Sequence, residues 1–72
     1  MSYTTDQQVF NFVIYAMANS EYLSYIKRNY DYSWLVDILI GEILGVFGRG
    51  IFTETALRGI IKKALIEYEE AA

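Results

Sequence analysis

Between Trp34 and Phe47, ten of fourteen residues are large and apolar. Asp37, Gly41, Glu42 and Gly45 are the only interruptions, and Gly48-Arg49-Gly50 follows directly. The pattern does not alternate with a period of two, and Gly41-Glu42 lacks the flanks of a tight hairpin turn, so a strand reading fails. The segment reads instead as a helix that is apolar nearly all round, ended by Gly48 or Gly50 in left-handed backbone. Such a helix has to be covered on most sides. The expectation is that the rest of the chain covers it.

A membrane could also provide cover, but the segment is too short. A helix over 34–47 is about 21 Å long, against a hydrocarbon core about 30 Å thick. Extending it to Phe52 brings in Asp37, Glu42 and Arg49, each costing about 2.5–3.5 kcal/mol at the bilayer centre. The segment is therefore read as a buried central helix, with no transmembrane span.

Caps and apolar spacing place three more helices. Thr4 with Gln7, or Thr5 with Gln8, has capping-box spacing, and Asp6 suits the first turn of a helix. Val9, Phe12, Val13, Ala16 and Met17 then share one face, with Phe10 and Ile14 as a second strip. Ser20 is an N-cap candidate for a short helix with Glu21 in its first turn. Its inner face is read as Tyr22, Leu23, Ile26 and Tyr30, with Lys27 and Arg28 complementing the dipole of its last turn. Asp31 or Ser33 can cap the central helix. Thr53 caps the final one, with Phe52 and Leu57 as a hydrophobic staple. There Leu57, Ile60, Ile61, Ala64, Leu65 and Tyr68 face inward, while Arg58, Lys62, Lys63 and Glu67 face out. Acids near the C-terminus of the helix oppose the dipole, so Glu69, Glu70, Ala71 and Ala72 are expected to fray. The expected fold is all-α: one domain over 1–72, a compact bundle of about four short helices over roughly 5–18, 21–29, 34–47 and 54–69.

Composition matters for what this core lacks. The 72 residues include no Cys and no His, which removes disulfides and zinc sites built from those residues. Small single cores are marginal without such aids. With 54% hydrophobic residues and a mean hydropathy of +0.19, there is more apolar surface than one small core hides. The remaining aid is a partner subunit, and a homodimer is expected. Gly41, Gly45 and Gly48 line one side of the central helix and mark close approach of another helix, either across a dimer axis or within the chain.

Four features of the sequence could carry chemistry. Acid–base catalysis would fall to Asp37 and Glu42, but five positions put them about 140° apart on a helix. They read as a solvent strip or as ion-pair partners of Arg49 or Lys27, and the chain as a non-enzyme with no cofactor and no metal. Gly48-Arg49-Gly50 lacks the preceding strand and following Lys-Ser/Thr of a phosphate loop. A helix-turn-helix could place Thr53, Thr55 and Arg58 on DNA, yet Glu54 would meet the phosphates and the net charge is −3. The tyrosines are the stronger lead. Of seven, four (Tyr22, Tyr25, Tyr30 and Tyr32) fall within eleven positions, with Arg28 among them and Trp34 just after. Tyr, Trp and Arg are the residue types favoured at interface hot spots. Tyr15 and Tyr68 are expected only to seal the core, with their hydroxyls in water.

The sequence thus points to a small acidic protein–protein interaction module that contacts its partner through Tyr22, Tyr25, Arg28, Tyr30, Tyr32 and Trp34. Self-association would use Gly41, Gly45 and Gly48. In size and composition the chain is of the kind common among phage- and plasmid-encoded modulators or inhibitors of host enzymes. A DNA-binding regulator using the last helix and a peripheral membrane-surface protein are the alternatives. The polar N-terminus and numbering from Met1 suggest a cytoplasmic product.

Overall fold

The computed structural model describes residues 5–50 and 52–71. Four helices follow one another: α1 (Thr5–Asn19), α2 (Glu21–Asn29), α3 (Tyr32–Phe47) and α4 (Glu54–Ala71). No strand occurs among the described residues. Local chemistry sets most boundaries. The Ser20 hydroxyl accepts from the Leu23 amide at 3.2 Å and starts α2. Thr53 Oγ1 accepts from the Ala56 amide at 3.1 Å and starts α4. Phe52 is half-buried against the core beside fully buried Leu57. Each such cap is worth about 1 kcal/mol.

Two boundaries and one capping assignment differ from expectation. Asp31, not Ser33, caps α3: its carboxylate accepts from the Ser33 amide at 3.3 Å, so the helix begins two residues early, at Tyr32. α1 already includes Thr5, so Thr5–Gln8 is not its capping box, and Thr4 lies outside the described residues. α4 does not stop at 69 but continues to Ala71. Lys27 at the end of α2 reaches Glu69 at 3.1 Å, which offsets part of that acid's conflict with the dipole.

Gly48 ends α3 at φ 93°, ψ 156°, and its amide donates to the Leu44 carbonyl at 3.0 Å. This is not the left-handed helical well but a more extended region that is essentially closed to residues with a Cβ. Gly50 is also at positive φ, 91°. Two glycines around Arg49 thus turn the chain from α3 toward α4.

The core is aliphatic. Val9, Val13 and Met17 of α1 meet Leu23 and Ile26 of α2, Leu35, Val36, Leu39, Ile40 and Ile43 of α3, and Leu57, Ile61, Ala64 and Leu65 of α4. No polar or charged residue is buried among the described residues. α1 and α4 form the most extensive pairing. Asp6 and Phe10 lie beside Ile60 and Lys63, while further along both helices the Tyr68 hydroxyl donates to the Met17 carbonyl at 3.4 Å. The two helices therefore advance in the same direction, which makes the domain an irregular helical globule rather than a simple up-and-down bundle. Phe12 of α1 meets Phe47 edge-on, with centroids 5.8 Å apart, and ties the end of α3 to α1.

The expectation that α3 is covered on most sides is not met. Its inner face is buried, but Trp34, Gly41 and Gly45 face out and are exposed, with Ile38 half-buried among them. No helix is long and apolar enough to cross a membrane among the described residues.

Candidate functional site

α2 has nine residues and buries only Leu23 and Ile26. On so short a helix these two fix the inner side, and the rest projects outward. Tyr22 and Tyr30, expected on the inner face, are both exposed. A tyrosine at the rim keeps its hydroxyl in water, and the two aliphatic side chains already fill the contact with the core. Tyr22, Tyr25 and Arg28 consequently share the outer side of α2. They line a shallow hollow that also takes in Asn19 and Ser24. Arg28 makes no ion pair among the described residues.

After α2 the backbone is extended at Tyr30 (φ −134°, ψ 173°) and at Asp31 (φ −64°, ψ 141°) before α3 begins. This two-residue corner carries the Tyr30 ring between its neighbours. Its centroid lies 5.9 Å from Tyr25 and 4.9 Å from Trp34, with interplanar angles of 60° and 63°. Both are tilted edge contacts of the kind aromatic quadrupoles favour. The structure thus brings Tyr25, Tyr30 and Trp34 into one array, with Tyr22 and Arg28 on the adjoining face of α2. Tyr32 makes no ring contact with them. It faces the end of α4, where partial burial and then the charge of Glu69 raise its pKa above the usual 10.0.

Where the excess apolar surface lies is now clear. The large exposed apolar or aromatic residues are Tyr15, Tyr22, Tyr25, Tyr30, Tyr32, Trp34, Val46 and Ile66. The aliphatic side chains are almost all used inside. What remains is mainly aromatic, and five of the six aromatics fall between Tyr22 and Trp34. Tyr15, expected to seal the core, is instead 69% exposed. Tyr68 does seal it, half-buried, but its hydroxyl, expected in water, donates to the Met17 carbonyl.

The glycines of α3 behave differently from a fold-packing strip. A Cβ built at Gly41, Gly45 or Gly48 would meet nothing within 4 Å. The reading in which they admit a helix of the same chain is therefore excluded.

The charged residues form a separate cluster. Asp37 pairs with neither Arg49 nor Lys27. Its carboxylate accepts from Arg58 Nη2 at 2.7 Å, and Glu54 accepts from the same nitrogen at 3.1 Å. These bonds, Asp37 first, hold the Arg58 guanidinium further above its usual pKa. Glu54 to Arg58 is an i,i+4 pair readable from spacing. The Asp37 partner, 21 positions away, carried no local signal. Arg58, expected on the outer side of α4, is half-buried between these two acids. Glu42 is exposed and makes no ion pair among the described residues. Comparison with protein-family models, curated proteins and solved structures found no match to this chain.

Proposed function

We propose that this chain is a non-enzymatic protein-binding module that presents the Tyr22–Trp34 corner to its partner. The observation that carries this reading is the segregation of exposed aromatic surface into that corner, continuous through the Tyr25–Tyr30–Trp34 contacts and flanked by Arg28, which has no ion pair among the described residues. Rigid aromatic rings lose little conformational freedom on binding, and an unpaired guanidinium beside them suits an acidic or carbonyl-rich contact on the partner. Analogy of size and composition with phage- and plasmid-encoded modulators makes a cytoplasmic host enzyme the kind of partner expected. Self-association into a homodimer is part of the same proposal, through the face that carries Gly41 and Gly45.

The DNA-binding alternative is weakened. Arg58, the cation best placed on the second helix, is held by two carboxylates, and Glu54 stands in the first turn. A phosphate would have to displace both.

Affinity capture from the native host tests the main reading. The wild type is expected to retain a defined partner that Tyr25→Ala/Arg28→Ala loses, with both proteins equally folded by circular dichroism. Equal recovery of the same partner by both would remove the proposed surface.

A further inference from the structure

We propose that the hollow on the outer side of α2 receives a helix of the partner protein, antiparallel to α2, with a carboxylate opposite Arg28 and a cation opposite Glu21. This rests on the protein-binding reading of the Tyr22–Trp34 corner. It goes beyond that reading by naming the partner's chemistry, charge order and direction.

Two charges of opposite sign mark the ends of the hollow. Glu21 and Arg28 both line it. Two helical turns separate them, about 20° around the helix and about 10.5 Å along it. Ser24 and Tyr25 lie between them on the same side, and Tyr22 flanks them. Glu21 and Arg28 are exposed, and neither makes an ion pair among the described residues. The neighbouring Lys27 behaves differently: it is half-buried and holds Glu69 at 3.1 Å. The fold thus uses one cation of α2 and leaves the next in the hollow beside two phenol rings.

Charge complementarity sets the pattern of the occupant. Same-side residues of an extended strand are about 6.6 or 13.2 Å apart, so a strand that meets one charge misses the other. A helix with opposite charges at i and i+7 meets both. Its direction follows from the dipole. In an antiparallel partner the carboxylate comes first and the cation second, the order that favours both of its own ends. A parallel partner would need the reverse order, which opposes its dipole. Between the charges, an apolar side chain at i+4 comes level with Ser24, the small residue that leaves room for it against Tyr25. Exposed ion pairs add little affinity each, so their effect is to select charge order.

Three alanine-rich helical peptides test this. Each carries Leu at i+4, with Glu and Lys, two Glu or two Lys at i and i+7. Each is titrated alone into the isotope-labelled full chain at low ionic strength. The Glu/Lys peptide is expected to bind about fivefold more tightly than either same-sign peptide, with shifts centred on Ser24, Tyr25 and Arg28. High salt should remove the difference. Arg28→Gln is expected to bind the Glu/Lys and Lys/Lys peptides equally, and Glu21→Gln the Glu/Lys and Glu/Glu peptides equally. A nitroxide on the N-terminus of the Glu/Lys peptide should broaden Arg28 more than Glu21.

Equal affinity of the wild type for all three peptides would overturn the charge order. Stronger broadening at Glu21 would overturn the direction. Shifts confined to other helices would remove the hollow as the contact. α2 itself carries Glu21 and Arg28 at this spacing, so a second copy is the competing occupant. Shifts at Ser24 and Tyr25 that grow with protein concentration, without peptide, would show that copy and overturn the partner helix. Loss of capture by Tyr25→Ala/Arg28→Ala together with equal peptide affinities would leave the contact surface standing and remove only its charge order.

Discussion

The two faces of α3 differ more than any two helices of the domain. On one side Leu35, Leu39 and Ile43 are fully buried, and their packing joins all four helices. On the other, Gly41 and Gly45 have open space above them, and Trp34 is half exposed beside the Tyr30 ring. The inner face uses side chains of high volume in a dry space. The outer face uses glycine, which costs about 1 kcal/mol per position relative to alanine in a helix interior. Folding therefore explains the inner face completely and is opposed by the outer one. Composition that weakens a helix without serving its fold is what an external contact would require.

The comparison can be broken most forcefully from the inside. Leu39→Ala removes a fully buried side chain and is expected to cost about 2–5 kcal/mol, read as a drop in the urea midpoint. A loss below about 1 kcal/mol would mean that the inner face is not the keystone described.

A smaller effect of opposite sign is expected outside. Gly41→Ala or Gly45→Ala should stabilise the dilute monomer by up to about 1 kcal/mol each in thermal unfolding, because the new methyl group meets no neighbour. The same changes should weaken self-association. Destabilisation of the monomer would show that the fold itself needs these glycines and would erase the contrast between the faces.

The smallest effect belongs to the rim. Tyr32 has its pKa raised above 10.0 in the folded state by partial burial and then by Glu69. The folded state therefore holds that proton more tightly than the unfolded one. The contribution is fully present below pH 10 and is lost as pH rises through the folded value. Tyr32→Phe should flatten the alkaline fall in stability above pH 10. An unchanged slope in the variant would remove Tyr32 as its source.

The legible part of this molecule was the part governed by neighbours in sequence. Ser20 and Thr53 announce their helices because a cap needs one hydroxyl at one offset. The inner faces of α1 and α4 follow from i, i+3, i+4 spacing because both helices also carry polar residues that define an outside. α3 has too few polar positions to define one, so its open face could not be read. On α2, counting tyrosines as apolar turned Tyr22 and Tyr30 inward, whereas a phenol at the rim of a small globule satisfies both its ring and its hydroxyl by staying at the surface. The aromatic corner was visible as composition, but its array depends on the extended Tyr30-Asp31 backbone. The Asp37–Arg58 and Lys27–Glu69 pairs join distant segments and had no local trace.

The pairing of α1 with α4 has a consequence for how the chain is made. The largest interface of the domain joins segments such as Met17 and Tyr68, 51 positions apart. Closing so long a loop has to precede the gain from packing α1 on α4. While α4 is still being synthesised, the emerging α1, α2 and α3 carry an aliphatic side with nothing to cover it. The domain is therefore expected to complete its core only once α4 is available, and an incomplete chain would expose the aliphatic side chains around Leu39.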